Sequence, residues 1–219
     1  MPADSGAQVS VTDLVLRAQS GGRLAFDLLV LMYRSRICSY ITRMVRDPVE
    51  AEDITQVAFT KAWRHLPSFR GDSTFETWLF QIARNLAIDS VRRRHQRMVV
   101  VSLDAPLEVE GEELVRERED RSWRGRPEQE IEAAELQRHV HRALDKLSPK
   151  LRQVVVLFEL VGLSYKEVAA VVGCPEGTVK SRIYNARREL GGHLEELGVL
   201  TKLMEMVLND KTSTERRKI

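Results

Sequence analysis

Apolar residues recur three and four positions apart along nearly the whole chain, which is the period of an α-helix. Strand-like alternation appears only briefly, at Met98–Leu103. Gly21-Gly22 stops a first short helix, and a long helix is expected from Arg23 to Arg46. It carries Phe26, Leu29, Val30, Tyr33 and Ile37 on one stripe. Asp47-Pro48-Val49-Glu50 opens the next helix: Asp47 caps, proline takes the first turn and Glu50 reaches back. That helix ends near His65-Leu66-Pro67. After a loop, Ser73-Thr74-Phe75-Glu76 reads as a capping box for a helix running to about Arg97.

Residues 98–128 lack apolar periodicity, carry an acidic excess and end in Gly125-Arg126-Pro127, the pattern of a linker. A second helical set follows. Ser148-Pro149 starts a helix that Gly162 ends, and Ser164-Tyr165-Lys166-Glu167 is a further capping box. Cys174-Pro175 starts a last major helix that stops at Leu190-Gly191-Gly192. Leu194, Leu197, Leu200, Leu203, Met204 and Val207 then mark one amphipathic stretch. The fold class expected is all-α: two small helical domains, 11–97 and 129–192, joined by a flexible linker over 98–128, with a tail over 193–219.

The chain has 219 residues, of which 43% are hydrophobic and 30% charged, enough for two buried cores in a globular protein. Net charge is +2, distributed as basic, acidic, basic: 14 basic against 10 acidic residues over 1–97, 5 against 9 over 98–129, and 10 against 8 over 130–190. Two nucleic-acid-facing modules on an acidic connector fit this, as does ordinary solvated charge. Cys38 and Cys174 have no metal-ligand spacing and read as idle thiols of a reducing compartment. Met1–Ser10 is too polar for a signal peptide, and no apolar run is long enough for a membrane span.

Ser164 to Leu190 is the most informative stretch. A short helix, a turn at Gly173-Cys174-Pro175 and a second helix make a helix-turn-helix. Val179, Ile183, Ala186 and Leu190 form the packing stripe of the second helix. Lys180, Ser181, Tyr184, Asn185 and Arg188 fall on the other face, with Glu176 and Thr178 at its start. These are residues that reach base edges and phosphates.

Leu147-Ser148-Pro149-Lys150-Leu151-Arg152, Gly162–Ala169 and Gly177-Thr178-Val179-Lys180-Ser181-Arg182 together resemble the promoter-reading domain of the sigma-70 family, most closely its extracytoplasmic-function group. The resemblance implies that Tyr165, Glu176, Thr178, Lys180, Ser181, Tyr184, Asn185 and Arg188 meet the minus-35 element. Asn185 stands where the family more often has a basic residue, which implies an altered minus-35 preference. A second, separate resemblance lies in Asp47–Phe59, which is similar to the helix that sigma factors dock on core polymerase. Ile54, Val57, Ala58 and Ala62 are its expected inner face; Glu52, Asp53, Gln56 and Thr60 are its outer, polymerase-facing stripe. Phe69–Phe80 and Ile82–Asp89 resemble the family's minus-10 segment, which implies DNA contacts from Arg70, Asp72, Ser73, Trp78, Arg84, Asn85, Asp89, Arg92 and Arg93. Such residues suit a base held out of the stack beside tracked phosphates. Arg94 and Arg97 are further phosphate candidates. The spacing of Phe75, Trp78 and Ile82 is equally that of core residues, and a core role is the simpler expectation for all three.

The resemblance implies core RNA polymerase and promoter DNA as partners, restraint by an anti-sigma factor, no cofactor and no membrane insertion. It implies a cytoplasmic protein, held by its anti-sigma partner at the inner face of the membrane. A dimeric helix-turn-helix repressor or activator is the alternative reading, and it needs neither the acidic helix nor the loop before Trp78. An enzyme fits least: His65, His95, His139, His141 and His193 do not group with carboxylates, and no phosphate-binding glycine loop occurs.

Overall fold

The computed structural model describes residues 10–101 and 127–196. Among them it has eight α-helices: α1 (Val11–Gln19), α2 (Arg23–Val45), α3 (Pro48–His65), α4 (Phe75–Val101), α5 (Pro127–Lys146), α6 (Pro149–Val155), α7 (Tyr165–Val172) and α8 (Glu176–Glu196). A 3-10 turn at Leu66–Ser68 follows α3, and a π-helical turn at Val156–Leu160 continues α6. No described residue lies in a strand. The all-α expectation holds.

One compact unit contains α1 to α4 together with Val156–Glu176; the other contains α5, α6 and the chain from Gly177 onward. In the first, α2 is the central helix. Phe26, Leu29, Tyr33, Ile37, Tyr40 and Ile41 turn one face inward, where Leu79, Phe80 and Ala83 of α4 are also buried. Aromatic rings fill the centre: Tyr40 meets Phe80 edge-on at 5.6 Å, and Tyr33 lies 5.7 Å from Phe75. Rings bury large areas, so these few residues supply much of the unit's hydrophobic stabilisation. The Gln19 side-chain amide donates to the carbonyls of Leu66 at 3.1 Å and Phe69 at 2.7 Å. The end of α1 thereby fixes the loop that precedes α4.

In the second unit the buried Arg152 plays the corresponding part. Its guanidinium donates to the carbonyls of Leu144 at 2.8 Å, Asp145 at 2.7 Å and Leu147 at 3.0 Å. It satisfies acceptors that the end of α5 otherwise leaves open.

Helix caps agree with expectation at Asp47 and at Ser164, and depart from it at Glu50 and at Ser73 with Glu76. Asp47 accepts from the amides of Val49 at 2.9 Å and Glu50 at 3.0 Å, and Ser164 with Glu167 forms a complete capping box. A box not anticipated, Ser10 with Asp13, starts α1. Glu50 does not return to its cap; its carboxylate takes Ser90 and Arg94 from α4 instead. Ser73 and Glu76 do not form the expected box. Thr74 caps α4 by accepting from the Thr77 amide at 3.1 Å, while Glu76 pairs with Arg36 at 2.5 Å. In both cases a cation on a neighbouring element outcompetes a local backbone amide for the carboxylate.

Two helix ends also move. The described part of the alternation, residues 98–101, is helical, since α4 continues to Val101: extending an existing helix fixes only one residue per added hydrogen bond. Gly191-Gly192 does not stop α8, which runs on to Glu196. Beyond the glycines, Lys146 of α5 holds Glu196 at 2.9 Å, and this tertiary tie helps hold a turn that glycine disfavours by about 1 kcal/mol per residue. Most of the linker and the tail beyond Glu196, with its apolar stripe, lie outside the described residues.

Candidate nucleic-acid and polymerase interface

Three polar surfaces can be built from these elements. The first is the outer face of α3. Asp53, Gln56 and Thr60 are exposed on it and Glu52 is half-buried at its edge. Ile54, Ala58 and Ala62 are buried as expected, but Val57 is 45% exposed and Val49 75% exposed. Three positions from Ile54, Val57 rotates onto the side of Asp53 and Gln56. The inner face is completed by Ala51, Thr55 and Phe59. The outer stripe is therefore acidic and apolar together, which a residue-by-residue helical rotation would have found. Glu52 accepts from Arg34 of α2 and from the Cys38 thiol at 3.6 Å. The Arg34 guanidinium holds the Glu52 carboxyl below its usual range.

The second surface is the loop before α4. Arg70, Asp72, Ser73 and Trp78 line one open cavity of about 520 Å³, together with Ser68, Phe69, Gln81 and Ala170. Gly71 has φ +80°, so the loop turns through a backbone conformation that glycine adopts without a Cβ clash. Trp78 is half-buried and stacks at a tilt on Phe69, 5.0 Å between centroids, with Phe75 5.8 Å away. Phe75 is core, whereas Trp78 is both core and cavity wall. Ile82 is half-buried. Farther along α4, Asn85, Asp89, Arg92 and Arg93 are exposed. Arg84 donates to the Asn85 side-chain oxygen at 3.1 Å, and its Nε is buried without a partner. Arg94 separates from the other arginines: it pairs with Glu50 and donates to the Val45 carbonyl at 3.1 Å, which makes it a structural tie at the end of α2. Ser68, Phe69 and Gln81 were not anticipated as cavity walls; only the fold brings them beside Asp72.

The third surface is α8. Val179, Ile183 and Ala186 are buried, and Leu190 is only half-buried. Glu176, Lys180, Ser181, Tyr184 and Arg188 are exposed, with Tyr184 at 68%; Thr178 and Asn185 are half-buried beside them. Ser181 returns its hydroxyl to the Thr178 carbonyl at 3.0 Å. Gly173 closes α7 with φ +71°, the left-handed helix end that favours glycine. Tyr165, at the start of α7, stacks on Phe158 at 4.5 Å. Among the described residues no group of histidine, cysteine and carboxylate side chains could hold a metal, and no helix is long and apolar enough to cross a membrane.

Known proteins resemble this chain in sequence and in fold. Residues 29–97 match sigma-70 region 2, and residues 137–190 match sigma-70 region 4. The RNA polymerase sigma-H factor of Pseudomonas aeruginosa is 41% identical over 187 residues, covering 84% of this chain and 93% of the relative. The ECF RNA polymerase sigma-E factor of Escherichia coli K12 is 40% identical over 189 residues, 85% and 96% of the two chains. Among solved structures, CnrH in complex with the cytosolic domain of CnrY aligns with a TM-score of 0.59 at 28% identity, covering 84% of this chain and 96% of that one. The sigma factor RpoE of Bartonella quintana, in complex with the anti-sigma factor NepR, aligns with a TM-score of 0.59 at 26% identity, over 78% and 96%.

Proposed function

We propose, from the premise that this chain belongs to the sigma-70 family of RNA polymerase sigma factors in its extracytoplasmic-function group, that three surfaces divide the work of transcription initiation. Residues 11–97 bind core polymerase and read the minus-10 element. Residues 129–192 read the minus-35 element. The protein acts as an initiation factor, without catalysis of its own and without a cofactor.

The outer stripe of α3 docks on core polymerase through Glu52, Asp53, Gln56 and Thr60, with Val49 and Val57 adding apolar contact. The convergence of Arg70, Asp72, Ser73 and Trp78 on one cavity carries the reading of the first domain. A base freed from the duplex enters there. Asp72 and Ser73 meet its edge, Trp78 and Phe69 offer ring faces, and Arg84, Arg92 and Arg93 follow the strand's phosphates while Asn85 and Asp89 flank it. In the second domain α8 enters the major groove. Lys180, Ser181, Tyr184 and Asn185 face base edges, and Tyr165, Glu176, Thr178 and Arg188 set the helix on the backbone.

CnrH and the Bartonella RpoE were each solved with a partner, CnrY and an anti-sigma factor. Their likeness supports an anti-sigma factor as this chain's regulator, holding it in the cytoplasm at the inner face of the membrane. The deciding experiment is transcription in vitro from a promoter library, with and without added core polymerase. Specific initiation with core polymerase is expected. Duplex binding without any initiation would favour a repressor or activator instead.

A further inference from the structure

Ser35, Arg36, Ser39, Tyr40 and Arg43 recur on successive turns of α2, at the three- and four-residue spacing that aligns side chains on one side of a helix. Together with three apolar residues from the stretch 156–161 they line a cavity of about 130 Å³. Both walls belong to the same compact unit.

The two cations of the lining are differently placed. Arg36 donates to the Val161 carbonyl at 2.6 Å and pairs with Glu76, so its charge is compensated. Arg43 donates to the Ser39 carbonyl at 3.0 Å and to the Ser39 hydroxyl, both neutral acceptors. Burial pushes its guanidinium below the ordinary value. Among the described residues no carboxylate lines the cavity. Tyr40 is 1% exposed, and its hydroxyl is buried with no hydrogen-bond partner. Burial also raises the phenol, so the hydroxyl keeps its proton and remains a donor. A buried donor without an acceptor costs free energy, and an anion that accepts from it recovers that cost.

We propose that this cavity binds a single phosphate-type oxyanion, held by the Arg43 guanidinium and the Tyr40 hydroxyl with the Ser35 and Ser39 hydroxyls beside them. A guanidinium fork with neighbouring hydroxyl donors suits a tetrahedral oxyanion. Size decides the ligand class. Pockets for whole drug-sized molecules run to roughly 300–1,000 Å³, so this cavity takes a phosphate group without room for a base and sugar. None of its α2 residues is assigned to DNA or polymerase, so the site is independent of the promoter readers.

The test uses the full chain and inorganic phosphate, followed by thermal unfolding and by calorimetric titration, with ionic strength held constant by sodium chloride. Phosphate is expected to raise the Tm and to bind saturably, since a ligand of the folded form stabilises it by mass action. Tyr40→Phe keeps the ring against Phe80 and removes only the hydroxyl. Without phosphate its Tm is expected to equal or exceed that of the unsubstituted chain, while its affinity for phosphate falls by about five-fold. A purely structural role for the hydroxyl would do the opposite, lowering the Tm and leaving the affinity alone. Arg43→Gln is expected to weaken binding by about ten-fold, with Arg43→Lys in between. Glycerol phosphate is titrated in parallel: saturable binding of either compound supports the site, and the tighter of the two shows whether the ion is free or carried on a metabolite. Absence of saturable binding by both overturns the proposal, as does unchanged affinity in both Tyr40→Phe and Arg43→Gln. Displacement of phosphate by a short single-stranded oligonucleotide also overturns it, since the cavity would then be a contact for the DNA backbone.

Discussion

The two segments assigned to DNA are built in opposite ways. The proposed minus-10 loop is held from outside: Gln19 of α1 grips the carbonyls of Leu66 and Phe69 where the loop begins, and Phe69, Phe75 and Trp78 form its floor. The minus-35 reader is held by its own helix, where Val179, Ile183 and Ala186 bury one face and leave Ser181, Tyr184 and Arg188 on the other. Capturing an unpaired base needs a concave surface, which takes several elements to build. Reading an intact major groove needs only a straight, stiff helix.

The largest break between the two comes from Phe75→Ala. Phe75 is 5% exposed and packs on Tyr33, Phe69 and Trp78, so truncation is expected to destabilise the N-terminal unit by about 3–5 kcal/mol. Denaturant melts should show the loss. Permanganate footprints should show strand opening lost while α8 still binds minus-35 duplex; loss of both activities together would deny the independence of the two readers.

Specificity comes next. Asn185→Arg is expected to change the preferred minus-35 bases and leave minus-10 preference alone, with Asn85→Ala doing the reverse. A base-edge contact is worth about 1–3 kcal/mol of discrimination. A promoter library transcribed with each variant reads both positions at once. A minus-10 shift from Asn185→Arg would show that the readers are misassigned.

A smaller effect separates docking from DNA reading. Asp53→Arg combined with Gln56→Ala is expected to weaken core-polymerase binding several-fold by titration, with helical content unchanged, because both side chains are exposed and carry no part of the α3 core. Unchanged affinity would remove α3 from the docking surface.

The smallest test compares two carboxyls held below the usual range for different reasons. Arg34 holds Glu52, whereas the Ser164 backbone amide, through the capping box, is the main cause at Glu167. A depressed carboxyl stabilises the fold above the unfolded value of about 4.3, and that contribution is lost as pH falls through the lower folded value. In an NMR pH titration both should titrate low at low salt. Added salt is expected to move Glu52 toward the ordinary range and to leave Glu167 nearly in place, since an exposed ion pair is screened and a backbone hydrogen bond hardly is. Equal movement of the two would mean that the capping bond is not what holds Glu167.

Local signals alone located most helices, the Asp47 and Ser164 caps, and the two faces of α8, because capping and helical periodicity act within a few residues. The placement of Phe75 in the core followed from the same periodicity. What lay beyond its reach depended on partners distant in the chain. Glu50 and Glu76 left their expected caps for Arg94 and Arg36, Gly191-Gly192 stayed helical ahead of the Lys146–Glu196 pair, and Arg94 became a structural tie. The cavity beside Trp78 takes its walls from the loop before α4, from Gln81 of α4 and from Ala170 of α7, which are far apart in the chain. The grouping of Val156–Glu176 with the N-terminal helices was likewise decided in tertiary structure: its hydrogen bonds to Arg36 and Gln81 join residues 125 and 89 positions apart, a separation that no local pattern encodes.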